Sequence, residues 1–193
     1  MTYYDILSTP IGPLLLTSDG HSITRLYMAS FTGGPTARAE FSAETSDSTA
    51  DLATFGFAEE GGWTQAPDLP VICEARKQLD QYFMQERVSF DLPLSPQGTA
   101  FQRRVWQELT TIPFGKAISY GELAQRIGNP QGSRAVGLAN GKNPISIIVP
   151  CHRVIGASGK LTGYGGGLDR KEWLLRHEGI ELPAPVHQAQ LTL

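Results

Sequence analysis

Sulfur is scarce in this 193-residue sequence, which has two cysteines, Cys73 and Cys151, and no C-x-x-C pair. That excludes a disulfide framework and a structural zinc cluster. With His21, His152, His177 and His187 as the only histidines, the N-terminal part has no evident metal ligand set, so no metal or cofactor is expected. Long apolar runs are also missing: stretches such as Leu14–Leu16 and Ile145–Val149 fall far short of the roughly 20 residues that cross a bilayer, which excludes a membrane-spanning helix. Met1–Leu16 shows no basic run followed by an apolar signal segment, so the expected location is cytoplasmic. Gly165-Gly166-Gly167 is not followed by Gly-Lys-Ser/Thr, which leaves a nucleotide-phosphate cradle unsupported.

What is present suffices for a folded core, since 40% of the residues are apolar. Charge is distributed unevenly. Residues 1–98 carry 5 Lys/Arg against 13 Asp/Glu, net −8, whereas residues 99–193 carry 11 against 6, net +5. Only the second half is suited to approach a polyanion.

Short β-branched or aromatic runs at Thr2–Leu7, Pro13–Thr17 and Ile23–Met28 predict strands of a small sheet. Residues 31–69, rich in Thr, Ala, Ser, Gly and Glu, read as a long loop or partly ordered insertion carrying little chemistry. Val71, Ala75, Leu79, Tyr82 and Phe83 predict a helix over about 70–84 that buries Cys73 as an inert core thiol, and Val88–Leu92 alternates as a strand would. The fold class is therefore α/β (α+β). An N-terminal sheet-plus-helix domain (1–92) is followed by a linker (93–98), a mostly helical domain (99–182) and a tail (183–193).

The helical half has legible punctuation. Thr99 is the expected cap of a helix buried through Phe101, Val105, Trp106 and Leu109. Ser119-Tyr120-Gly121-Glu122 has capping-box form and opens a helix stopped by Gly128. Ser133–Asn140 follows the Gly128-Asn129-Pro130 turn and runs to Gly141, giving helix-turn-helix form, a pattern shared with ordinary helical hairpins. Ser133, Ala135, Gly137 and Ala139 are small and Arg134 is the one long cation near the start. This composition suits close approach to a minor groove, or equally tight helix packing, better than base reading in a major groove.

The segment Asn143–Gly156 then delivers Cys151 between Pro150 and His152 at the end of an apolar run expected to be a short strand or turn. Adjacent side chains on a strand point to opposite faces, so Cys151 and His152 would need a turn or a bridging water to communicate.

Pro150-Cys151-His152-Arg153-Val154 resembles the acceptor signature of the O6-alkylguanine-DNA alkyltransferases, also called methylated-DNA–protein-cysteine methyltransferases. The resemblance extends over Phe101–Gly179 through Ser119-Tyr120, Gly128-Asn129-Pro130, Arg134-Ala135-Val136-Gly137, Asn143-Pro144, Thr162–Leu168 and His177-Glu178-Gly179. Residues 1–92 resemble the family's variable N-terminal domain only through the opening strands and Pro10–Leu14.

The resemblance implies a suicidal DNA-repair protein that takes the alkyl group from O6-alkylguanine in double-stranded DNA onto Cys151, with no cofactor and no membrane. O4-alkylthymine remains open as a second substrate. By the same resemblance His152 is the base acting through a water, Glu178 holds the imidazole, and Asn143 supports the active-site loop and the thiolate. Tyr120 protonates the leaving base, Cys151 and Val154 backbone groups receive the exocyclic amine, and Tyr164 walls the pocket. Arg134 fills the space of an extruded base, while Ser133, Ala135, Gly137 and Tyr120 face DNA. A monomer is expected, with cooperative assembly on DNA left open. The alternative is a non-catalytic relative that only flags alkylated bases. Such relatives lack the acceptor cysteine, so Cys151 speaks against it.

Overall fold

The computed structural model describes residues 1–28, 52–55 and 62–182. The parts of the expected insertion at 31–51 and 56–61, and the expected tail 183–193, lie outside the described residues. Among the described residues no helix is long and apolar enough to cross a membrane.

Strands β1 (Thr2–Leu7), β2 (Leu14–Ser18), β3 (Ile23–Met28) and β4 (Trp63–Gln65) form one sheet in the order β3-β2-β1-β4. β2 lies antiparallel to β1 and β3, whereas β4 runs parallel to β1 with Thr2 opposite Trp63. Every residue of β2 is buried, which explains its continuous Leu14-Leu15-Leu16 run in place of alternation. Leu14 and Leu16 enter the main core, and Leu15 meets a second cluster containing Phe55, Leu52 and Trp63. The stretch expected to be a loop thus supplies a helical turn at Leu52–Phe55, an edge strand and the cover for one sheet face. Three residues of β4, two of them polar, are too few to register as a period.

Helix α1 (Pro70–Phe83) opens on Pro70, whose missing N–H costs nothing in the first turn. It buries Ile72, Ala75, Gln78, Leu79 and Tyr82. Cys73 is not in the core as expected but exposed, its Sγ donating to the Pro67 carbonyl at 3.1 Å. Helical phase explains this, because Cys73 shares its face with Lys77 and Asp80 rather than with Leu79. Val88–Leu92 forms no strand, and Val88 is exposed. The buried Gln78 amide takes the place of a ladder, donating to the Asp91 carbonyl and accepting from the Asp91 N–H at 2.9 Å each.

In the second half Thr99 caps α2 (Ala100–Leu109) in a full capping box with Gln102, and Val105, Trp106 and Leu109 are buried while Phe101 stays partly exposed. Ser119 caps α3 (Tyr120–Arg126) by accepting from the Glu122 N–H at 3.0 Å. The reciprocal half of that box does not form, since the Glu122 carboxylate pairs with Arg126 at 2.7 Å. Gly128, at φ +70°, turns the chain toward α4 (Ser133–Gly141). The Trp106 indole N–H donates to the Ala139 carbonyl at 2.9 Å and fixes α4 against α2. α5 (Leu168–His177) closes the fold.

One apolar cluster runs through both halves, from Leu14, Leu26 and Tyr82 to Val105, Val136 and Leu174. Backbone pairing reinforces it along the free edge of β3. Ile23 pairs with Leu94, and Leu26 donates to the Pro144 carbonyl at 2.8 Å and accepts from the Ser146 N–H at 3.2 Å. The N-terminal sheet therefore grips the loop that leads to Cys151.

Candidate active site

The acceptor segment is a turn, not a strand. Residues 145–149 make a single bridge to β3, and Cys151–Arg153 form one turn of 3-10 helix before the short strand β6 (Val154–Ile155). Asn143 organises the approach: its Oδ1 accepts from the Ile145 N–H at 3.0 Å and its Nδ2 donates to the Val149 carbonyl at 2.7 Å. Within that loop Ile147 adopts φ +71° while the Ile148 N–H reaches the Ser146 carbonyl at 2.8 Å. A β-branched residue there is strained by about 1–3 kcal/mol, and clamping by Asn143 and β3 holds it.

β6 pairs in parallel with β5 (Ile118–Ser119), Ile118 opposite Val154. This pairing brings Tyr120, the first residue of α3, beside the acceptor turn. Its hydroxyl donates to the Thr162 carbonyl at 3.3 Å, and its ring lies against Gly137, where an added Cβ would stand 3.6 Å away. Burial pushes the Tyr120 phenol above its usual range, so the resting side chain is protonated.

Cys151 is buried, with 4% of its surface exposed. Burial pushes its thiol up, and four groups oppose that shift: the Asn143 amide, the Lys171 ammonium, the backbone N–H of Cys151 and the Ser146 hydroxyl. Lys171 is fully buried on α5 and donates to the Val154 carbonyl at 2.7 Å and the Thr162 carbonyl at 2.9 Å. Desolvation lowers its pKa to about 8, against the pull of Cys151.

His152 and Glu178 meet at 2.8 Å in a site that admits no solvent to either side chain. Glu178 also accepts from Arg153 Nε at 2.8 Å and Nη2 at 3.0 Å, and from the Tyr82 hydroxyl at 2.8 Å. Burial alone would raise the Glu178 pKa, but His152 and Arg153 outweigh it and hold the carboxyl at about 2. An ionised carboxylate only accepts, so the partner nitrogen, Nε2 of His152, carries the proton and Nδ1 is left with its lone pair. Nδ1 is buried and has no hydrogen-bond partner among the described residues, Cys151 Sγ included. Burial lowers the His152 pKa and keeps the ring neutral, ready to accept a proton at Nδ1.

The structure thus brings Cys151, His152, Glu178, Asn143, Tyr120 and Val154 together. Tyr164 joins them from the Gly-rich stretch, partly buried with its hydroxyl enclosed. The Cys151 carbonyl accepts from Asn140 Nδ2 at 3.3 Å, so both carbonyls expected to receive a base amine already have a protein donor nearby. Arg134 stands apart, exposed at the start of α4 with Ala135, while Ser133 and Gly137 are half-buried.

Four residues were not anticipated: Arg153, Lys171, Tyr82 and Asn140. A signal existed for Lys171, because Lys171, Leu174, Leu175 and Glu178 recur at i, i+3, i+4 and i+7, placing two charges on an apolar helical face. No local pattern marks Tyr82, whose partner lies 96 residues away.

The chain is similar to known proteins over nearly its whole length. Residues 100–180 match the family described as "6-O-methylguanine DNA methyltransferase, DNA binding domain", and residues 2–96 match its "ribonuclease-like domain". The "Methylated-DNA--protein-cysteine methyltransferase" of Mycobacterium bovis is 47% identical over 184 residues, 95% of this chain and 96% of that protein. The protein of the same name from Methanosarcina acetivorans is 48% identical over 177 residues, covering 92% and 98% respectively. The crystal structure of Mycobacterium tuberculosis O6-methylguanine methyltransferase superposes with a TM-score of 0.73 at 47% identity, covering 92% of this chain and 93% of that one. A structure of the Mycobacterium tuberculosis protein in complex with DNA gives 0.73 at 46% identity, covering 91% and 92%.

Proposed function

The chain belongs to the 6-O-methylguanine DNA methyltransferase family, and from that premise we propose that it repairs double-stranded DNA by moving the alkyl group of O6-alkylguanine irreversibly onto Cys151. The observation that carries this reading is the 3-10 turn that sets Cys151 next to a neutral His152 whose far nitrogen is tied to Glu178. Displacement at carbon asks for a polarizable, ionised nucleophile. The thiol proton passes through a water to Nδ1 of His152, and Glu178 stabilises the imidazolium that forms. The thiolate, facing Lys171 and Asn143, attacks the alkyl carbon. A C–S bond forms as the C–O6 bond breaks, and the electron pair leaves with guanine. Tyr120 delivers a proton to the departing base, so that it leaves neutral, and the proton that the thiol gave to His152 returns through solvent to the phenolate, so that both side chains end as they began. The thioether product is a poor leaving group, and each molecule acts once.

Incubation with duplex DNA containing radiolabelled O6-methylguanine is expected to label the protein to a plateau of about one alkyl group per molecule, on the Cys151 peptide. Continued turnover, or label on Cys73, overturns the reading.

The alkylated atom is enclosed in the stacked duplex, so the base must be swung out, at a cost of a few kcal/mol. Arg134, long, cationic and exposed at the head of a small-faced helix, occupies the vacated place. Arg134→Ala is expected to slow reaction with alkylated duplex roughly 10- to 100-fold while leaving reaction with free O6-benzylguanine within about twofold. Equal losses on both substrates would assign Arg134 to the fold instead.

A further inference from the structure

We infer that Tyr82, from the N-terminal half, is a positioning residue of the acceptor site that sets the proton affinity of His152 through Glu178. Tyr82 sits on α1, fully buried, 96 residues in sequence from the carboxylate to which it donates. Its hydroxyl reaches the same oxygen, Oε1, that accepts from His152, both at 2.8 Å. A carboxylate oxygen shared in this way gives less electron density to each donor, so the Tyr82 hydrogen bond weakens the pull of Glu178 on the imidazole proton.

The ring is fixed for this task. Phe83, Phe90 and His177 surround it with centroids 5.1 to 5.5 Å away, and His177 Nε2 lies 2.9 Å from the Tyr82 carbonyl. The phenol does not ionise, because burial and the Glu178 charge both raise its pKa. It therefore acts only as a donor. The other charged and titratable groups facing the pair are Arg153 from the acceptor turn and Lys171 from α5, with His177 beside the Tyr82 ring. Arg153 Nη2 donates to the same Oε1 at 3.0 Å, so the hydroxyl, the imidazole and the guanidinium share one carboxylate oxygen.

The inference rests on the reading of His152 and Glu178 as the proton relay of Cys151, so its test reads the imidazole as well as the transfer. In Tyr82→Phe the ring packing stays and one hydrogen bond goes. The expected result is a His152 titration, followed by NMR, displaced upward by about half a pH unit. The acid limb of the alkyl-transfer rate should move by the same amount, and the His152–Glu178 proton resonance should move downfield. Site-specific 3-fluorotyrosine at position 82 keeps the ring and the hydroxyl but donates more strongly, and it is expected to move both the titration and the resonance the opposite way. This second variant decides the matter if Tyr82→Phe fails to fold. An unmoved His152 titration and resonance in a folded variant overturn the inference, even if Tm falls. If transfer to Cys151 fails in the unaltered protein while the titration moves as expected, the fault lies with the proposed function and not with Tyr82.

Discussion

Cys151→Ser is expected to abolish alkyl transfer, with no label on the protein and a loss of at least about 10³-fold, while folding and duplex binding persist. The side chains differ by one atom, and the site that holds Cys151 is built largely from backbone: the Asn143 clamp on the Val149 carbonyl and the pairing of Leu26 with the loop. Serine fits without a cavity. Its oxygen is far less polarizable than sulfur and far harder to ionise, and neither a neutral imidazole nor a buried ammonium recovers that difference. The surface proposed to meet DNA, with Arg134 and Ala135 exposed on α4, lies outside the acceptor turn, so gel-shift affinity for alkylated duplex is expected to stay within about threefold of the unaltered protein. Cys73→Ser supplies the converse result. The exposed thiol on the solvent face of α1 contributes nothing to the acceptor turn, and full stoichiometric labelling is expected. Residual transfer by Cys151→Ser, or a deficit in Cys73→Ser, would place the acceptor elsewhere.

The parts of this site that were legible in the sequence are those fixed by local chemistry. Thr99 and Ser119 announce helix starts because a side-chain oxygen must meet an orphan N–H three residues on. Gly128 announces a stop through its positive φ. Cys151 and His152 announce the proposed acceptor turn through a motif of neighbours. Where a backbone group could be satisfied in more than one way, the reading failed: Val88–Leu92 alternates as a strand does, yet Gln78 takes up the hydrogen bonds of Asp91 and no strand forms. Phase was the difficulty at Cys73, which is one residue removed from the buried Ile72 and therefore turned about 100° away from the core. The least legible layer is the one formed by contacts distant in sequence, most of them across the two halves. Tyr82 to Glu178, Arg153 to the Ile112 carbonyl at 2.6 Å and Leu26 to Pro144 join residues from 41 to 118 positions apart, and no window along the chain contains both members. The N-terminal half, whose family likeness showed in the sequence only through its opening strands, matches the family over residues 2–96 and supplies direct hydrogen bonds to the acceptor loop and its carboxylate.

Glu178→Gln is expected to cost about 3–5 kcal/mol of stability at neutral pH and to remove most of the transfer rate. The amide matches the carboxyl in shape, so packing is kept and the loss is electrostatic. Arg153 would remain with its guanidinium 7% exposed, holding the Ile112 carbonyl and one neutral amide oxygen in place of a bidentate carboxylate. A buried cation stripped of its counter-ion is penalised far more than the pair ever stabilised the fold. The pH dependence follows from the directions of the two shifts. Glu178 is held at about 2 in the folded protein against 4.5 ordinarily, so its stabilising contribution is complete above pH 4.5 and is lost as pH falls toward 2. His152, also lowered, acts with the same sign: below its ordinary 6.5 the unfolded chain takes up a proton that the folded one refuses. The unaltered protein should therefore lose stability steadily from about pH 6.5 downward, steepening below pH 4.5. Glu178→Gln lacks the second part of that slope. Urea denaturation at pH 7 and at pH 3.5 is expected to show a wide gap in stability at the first and one narrower by about 1.4 kcal/mol at the second. A gap of constant width across that range would mean that the carboxylate charge at position 178 does not hold the two halves of the site together.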